Sequence, residues 1–206
     1  MFPWEHTQFP STDDYNIPTL RLDKQATTID HPVINWGNTR RTDIFSGTYC
    51  FYCDDYRFSR LTKKPDQLID TQCRTAIEVN FSTRPTTPRA QVLYDIFRKR
   101  WLARYWQEFD INIIVDLNVM SIFADDNFRG IPKGWKAYCT RSHRISLEQL
   151  QEQFHRACTH ADTDDILFTV YGGGKYIASL CQQYHWIWIP DERHLLLQQK
   201  SQQKYG

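Results

Sequence analysis

The stretch "DILFTVYGGGKYIASL", residues 165–180, reads as strand, turn and helix in immediate succession. Ile166 to Tyr171 form an apolar run with β-branched and aromatic residues, which suits a strand covered on both faces. Gly172, Gly173 and Gly174 end it, and helical spacing resumes at once in "KYIASLCQQY" (175–184). That is one βα unit, and the same rhythm recurs upstream. "TYCFYC" (48–53) gives way to a short helix in "DDYRFSRL", and "TAIEVNF" (75–81) precedes a long helix entered at Pro88. "INIIVDL" (111–117) and "GWKAYCT" (134–140) are further strands, the second followed by a helix from Ser146. "WIWI" (186–189) ends the series. Strands alternating with helices predict an α/β chain with a largely parallel sheet. A full eightfold barrel usually takes ~250 residues. With 206 residues, the expectation is a single domain of parallel βα units forming a small or incomplete TIM-like barrel. A doubly wound open sheet is the alternative.

Around this core, residues 1–45 read as an irregular N-terminal segment punctuated by Pro3, Pro10, Pro18 and Pro32, with short strands at "IPTLR" (17–21) and "PVINWG" (32–37). Residues 46–190 form the core domain, and 191–206 a polar, Gln-rich tail with a fraying helix. In the long helix, Ala90, Leu93, Tyr94, Phe97, Trp101 and Tyr105 fall on one stripe at helical spacing, which predicts the core face. Arg98, Lys99, Arg100 and Arg104 point elsewhere, as a solvated basic flank or a phosphate-facing patch.

The charge balance is 25 basic against 24 acidic residues. That excludes the strongly basic character of a DNA-coating protein but permits a local patch. No run of ~18 apolar residues is present, so no membrane span is expected. The start, "MFPWEHTQFP", lacks the pattern of a secretory signal, so a cytoplasmic protein is expected. The six cysteines then read as reduced and inert. Cys50 and Cys53 lie at i and i+3 of a strand, on opposite faces, and no second pair follows at zinc spacing, so no metal is expected there.

Ligands of parallel α/β folds sit at the carboxyl ends of the strands. Residues just beyond each strand are therefore the candidates: Asp54, Asp55 and Arg57; Asn80 and Ser82; Asp116 and Asn118; Arg141 and His143; and Gly172, Gly173 and Gly174 with Lys175. Asp54, Asp55 and Asp116 could serve acid–base chemistry or hold a divalent cation such as Mg²⁺. One of the first two could instead cap a helix. Arg57, Arg141, the glycines and Lys175 are anion-binding candidates, since a glycine turn at a helix start exposes backbone N–H groups. The glycines equally permit a tight turn with no ligand. They match neither G-x-x-x-x-G-K-[ST] nor G-x-G-x-x-G.

Four segments, "DDYRFSRLTKKPDQL", "VNFSTRPTTPRAQVLYDIFRKRWLARYWQEFDINIIVDL", "FRGIPKGWKAYCTR" and "ILFTVYGGG", together resemble an uncharacterised bacterial and phage family, domain of unknown function 4417. The resemblance spans roughly residues 17–175. It implies a setting in phages, plasmids and other mobile elements, and no established activity. Two departures stand out: the family pattern favours Pro-Asp-Phe-Ser at Val79-Asn80-Phe81-Ser82, and a Trp-containing strand end at Asp116-Leu117-Asn118. Asn80 weakens any role an aspartate there would have as metal ligand or base. The expected function is binding of nucleic acid, or of a protein in a nucleoprotein complex, through phosphates at the strand-end rim, with processing possible. An enzyme on a small phosphorylated or sugar-like ligand and a non-catalytic interaction module are the alternatives.

Overall fold

The structure, a computed structural model, describes residues 2–37, 46–143, 145–191 and residue 194. Apart from Asp191 and His194, the expected frayed helix of the tail lies outside the described residues. Seven strands form one sheet: β1 (Val33–Asn35), β2 (Thr48–Cys50), β3 (Thr75–Ile77), β4 (Asn112–Asp116), β5 (Ala137–Arg141), β6 (Leu167–Tyr171) and β7 (Ile187–Ile189). Between them lie α1 (Asp55–Phe58), α2 (Asp66–Ile69), α3 (Arg89–Gln107), α4 (Ala124–Asn127), α5 (Leu147–Ala161) and α6 (Gly174–Gln183). Every neighbouring pair is parallel, and spatial order follows chain order from β1 to β7. A doubly wound sheet needs a reversal of strand order, and this sheet has none. It curls instead into a nearly closed barrel. The Asn35 side chain at the β1 end reaches the Tyr171 hydroxyl of β6 at 3.5 Å, and the rings of Tyr52 and Tyr171 lie 5.0 Å apart across the interior.

Several strands are shorter than their apolar runs. β2 stops at Cys50, where its two-residue ladder to β3 has already ended, yet Phe51 and Tyr52 stay buried. Residues 17–21 form no strand. Pro18 offers no amide donor there, and Leu20 is held in a loop by its bond to the Gly130 carbonyl (2.8 Å). Segment 1–45 contributes the edge strand β1 as well as Trp4 and Phe9, whose rings both contact Trp101.

That contact explains a correction on α3. The residues of α3 buried in the core include Val92, Ile96, Lys99, Arg100, Ala103 and Trp106. Of the predicted stripe, Trp101 is buried, and Tyr94 is exposed. Trp101 and Phe97 pack under Trp4, and the Trp101 indole donates to the Thr7 carbonyl (2.8 Å). The helix is thus covered on two sides, and one of its inward faces carries cations. Lys99 and Arg100 are neither a solvated flank nor phosphate contacts. Arg100, wholly buried, pairs with the equally buried Glu78 just past β3 and donates to the Asn127 and Arg129 carbonyls. Lys99 donates to the Asp116 carbonyl (3.1 Å) and lies 3.6 Å from its carboxylate. Arg98 and Arg104 pair along the helix with Asp95 and Glu108. Alternation explains the inward charge. Glu78 and Val115 share the helix-facing side of the sheet, given the pairing of Ile77 with Ile114. A carboxylate there must be met by a cation from the covering helix.

Removing one partner of such a pair leaves a naked buried charge, at a cost of about 3–5 kcal/mol. Glu78→Gln and Arg100→Met are each expected to lose that order of stability in denaturant unfolding, and the double variant to lose markedly less than the sum of the two. Additive losses would show that the pair is not coupled.

Candidate functional site

The carboxyl ends of β2, β3 and β4 meet at Asp116. Its carboxylate is wholly buried and fully used: Oδ1 accepts from the Tyr52 hydroxyl (2.8 Å) and the Asn118 amide (3.1 Å), and Oδ2 from the Asn80 carboxamide (2.9 Å). Burial pushes this carboxyl up from its ordinary value and pushes the Lys99 ammonium down, desolvation being the leading cause in both. Asn80 also donates to the Asn118 carbonyl (2.8 Å), and the Asn118 side-chain carboxamide donates back to Asn80 Oδ1 (3.1 Å). Asn80, where the family pattern favours aspartate, is thus a donor to Asp116. An ionised aspartate there would face Asp116 with like charge.

The loop after β3 also reaches the β2 end. Asp55 accepts from both the amide (3.1 Å) and the hydroxyl (2.8 Å) of Ser82. Asp54 occupies the N-cap position of α1 without a side-chain cap bond, and is exposed. Since β2, β3 and β4 are parallel, all three aspartates lie at one end of the sheet, and the segment Asn80–Ser82 links Asp55 to Asp116. Among the described residues, no group of three or more His, Cys, Asp or Glu is placed to hold a metal ion. All six cysteines are unbridged, and burial pushes the Cys139 thiol, beside Asp116 in the interior, up to about 12.

Beside this hub opens a cavity of about 520 Å³ over the ends of β3, β4 and β5. Asn80, Ser82, Asn118, Arg141 and His143 all line it. Arg84 and Arg156 join them, unsignalled by any strand-end position. Arg141 shares its face of β5 with Cys139, the partner of Asp116 across the ladder. Among the described residues, the side chains of Arg84 and Arg141 make no ion pair. Arg156, by contrast, pairs with Asp125 (2.6 Å) and Glu152 (3.1 Å). Carboxamides from Asn127 and Gln153 complete the cavity wall, each anchored to a backbone carbonyl at the end of β4 (Asp116 and Leu117).

Arg57, Lys175 and the glycines lie on another part of the rim. Arg57 donates to the Gly37 carbonyl (3.1 Å), and Lys175, exposed, opens α6. Gly172, Gly173 and Gly174 all have positive φ, between 67° and 80°. The close approach that removed their side chains is made by the chain itself. A Cβ on Gly173 would lie 2.3 Å from Ile177 Cγ1 and 2.4 Å from Ser142 Oγ, and one on Gly174 2.7 Å from His194 Nε2. His194 is held there by Asp191, Nδ1 to Oδ1 at 2.7 Å. Neither residue was among the strand-end candidates, although Asp191 lies just beyond β7.

The family described as Domain of unknown function (DUF4417) matches residues 9–159, and the chain belongs to it. The chain is similar to the Gene 1 protein of Mycobacterium phage D29, 30% identical over 132 residues, covering 61% of this chain and 48% of that protein. It is also similar to the Gene 1 protein of Mycobacterium phage L5, 32% identical over 111 residues, covering 52% and 47%. The chain thus spans about half the length of these relatives. No solved structure matches it. Among the described residues, no helix is long and apolar enough to cross a membrane.

The glycine turn yields a direct test. A left-handed conformation costs a side-chain-bearing residue about 1–2 kcal/mol, and the clash with Ile177 and Ser142 adds to it. Gly173→Ala is therefore expected to lose at least that much in thermal or denaturant unfolding, while Gly134→Ala, with the same sign of φ and open space around it, loses only the backbone part. Equal losses would remove the packing role assigned to Gly173.

Proposed function

We propose that this member of the family is a phage or mobile-element protein that binds nucleic-acid phosphates at the carboxyl-end rim, in the cavity over β3, β4 and β5. The observation that carries the reading is the pair of arginines on that cavity's wall, Arg84 and Arg141, that have no acidic partner among the described residues. A cation left unpaired beside a cavity favours an anion there, and a guanidinium matches phosphate oxygens in bidentate geometry. His143 adds a further donor on the same wall, and Arg57 and Lys175 extend the positive rim beyond it. The near-neutral overall charge is compatible with such a local patch, since the summed field matters only where the ligand lies. The phage relatives support the genetic setting. In this reading Asp116 and Asp55 shape the rim by tying its loops together.

A second reading has one observation in its favour. The cavity volume falls in the range of small-ligand pockets, which suits a mononucleotide or another small phosphorylated ligand.

Fluorescence anisotropy with a labelled 12-nucleotide oligomer separates the two. Each phosphate contact removed lowers the slope of log affinity against log salt by about 1. The Arg84→Ala/Arg141→Ala variant is expected to bind at least tenfold more weakly, with a slope reduced by about 2. Unchanged affinity and slope would overturn the proposal, and tight binding of a mononucleotide with no oligomer preference would transfer it to the second reading.

A further inference from the structure

We infer that the rim takes single-stranded nucleic acid, with bases stacked on Tyr56 and Tyr176; this rests on the phosphate-binding reading above. Among the described residues, the most exposed large hydrophobic side chains are Tyr56 (70%), Ile122 (66%) and Tyr176 (65%). All three follow directly on strand carboxyl ends: Tyr56 in α1 after β2, Ile122 in the 3₁₀ turn after β4, and Tyr176 in α6 after β6. Tyr94, in the second turn of α3, is exposed on the helix that follows β3. Four of the eight exposed large hydrophobic side chains among the described residues thus stand at the end of the sheet where a ligand of this fold would lie.

A cation lies by the Tyr56 ring, and one precedes Tyr176 in the chain. The Arg57 guanidinium lies 5.8 Å from the Tyr56 ring centre, and Lys175 precedes Tyr176 at the start of α6. Tyr176 makes no ring contact among the described residues. The strand ends that carry them are held together, because Tyr52 and Tyr171, four and five residues upstream, are in ring contact at 5.0 Å. Two exposed aromatic rings, that of Tyr56 with a guanidinium beside it, thus stand on one rim with Arg84 and Arg141, which make no ion pair among the described residues.

That combination selects its ligand by chemistry. A positive track alone binds any polyanion, duplex included. An exposed aromatic face adds something only when the ligand offers an unstacked base, which a duplex does not. Stacking is tolerant of base identity, so the rim is expected to bind single strands with little sequence preference.

The test uses the full chain and four probes of equal length: oligothymidylate, oligouridylate, a hairpin duplex, and an abasic oligomer that keeps the phosphates and lacks the bases. The parent is expected to prefer oligothymidylate or oligouridylate to the duplex and the abasic oligomer; the first two arms separate DNA from RNA. Tyr56→Ala and Tyr176→Ala are each expected to weaken single-strand binding about 5- to 150-fold, with Phe restoring it, while leaving abasic binding unchanged. Both positions are exposed, and unfolding curves check that the variants fold. If the double Ala variant binds oligothymidylate as the parent does, the stacking inference is wrong. It fails alone if Arg84→Ala/Arg141→Ala still weakens all probes, and the phosphate reading fails with it if that variant also changes nothing. Parent affinity equal for duplex and single strand would likewise overturn the inference.

Discussion

The buried ion pair between Glu78 and Arg100 is the constraint on which the rest of this molecule depends. Both side chains are wholly excluded from water. Neither can be left alone there, since an unpaired charge in such surroundings costs several kcal/mol. The pair ties the long helix α3 to the strand-end loop of β3. Through the further bonds of Arg100 to the Asn127 and Arg129 carbonyls, it also ties in the segment after β4. Glu78 additionally accepts from the Asp116 amide (3.1 Å). One carboxylate thus sets the position of the helix and of the β4 end together.

Asp116 carries that position onward to the rim. Its oxygens receive donors from the loops after β2, β3 and β4, and Lys99 arrives from α3. A hydrophobic residue could pack at this point but could not orient three loops, because dispersion forces have no direction whereas hydrogen bonds do. The desolvation that displaces both titrating partners toward neutrality is the energetic cost of that orientation. The cavity wall inherits it. Asn80, Asn118 and Asn127 line the cavity, and each is bonded to Asp116 itself or to its backbone.

Much of this architecture was legible in the sequence, for reasons tied to particular residues. The continuous apolar runs of β4 and β6 announced strands covered on both faces, and alternating strands and helices announced a parallel sheet but not its chain order, since a doubly wound sheet alternates in the same way. The helix expected from Ser146 is α5, which the structure starts with a capping box of Ser146 and Gln149. The inner face of α3 was not legible. Periodicity counts apolar residues, and this helix buries two cations toward the sheet and turns aromatic residues toward Trp4 and Phe9. The strand-end rule found Asn80, Ser82, Asn118, Arg141 and His143 on the cavity wall because each follows its strand closely. It missed Arg84 and Arg156, which reach the cavity from a loop and from the body of α5. Asp191, just beyond β7, fits the rule but was not read by it, and only tertiary folding brings it and His194 to the glycine turn.

The rim is built unevenly, and the unevenness decides where a ligand has room. On the side where the barrel almost closes, Tyr52 and Tyr171 fill the interior with their rings, and Ser142, Ile177 and His194 occupy the space beside the glycines. Little volume is left there below the rim, so what this side offers is its outer surface, the exposed rings and cations of α1 and α6. Over β3, β4 and β5 the wall combines carboxamides and arginines with apolar side chains such as Leu117, Met120 and Phe128, and the volume stays open. Carboxamides bonded to backbone are held in place and present polar edges, whereas unpaired guanidiniums keep their charge available. On the proposed reading, the same fold separates two kinds of recognition by position. Depth lies on one side, exposed rings on the other and cations on both, and an extended polyanion with flat side groups is the ligand shape that would use both sides at once.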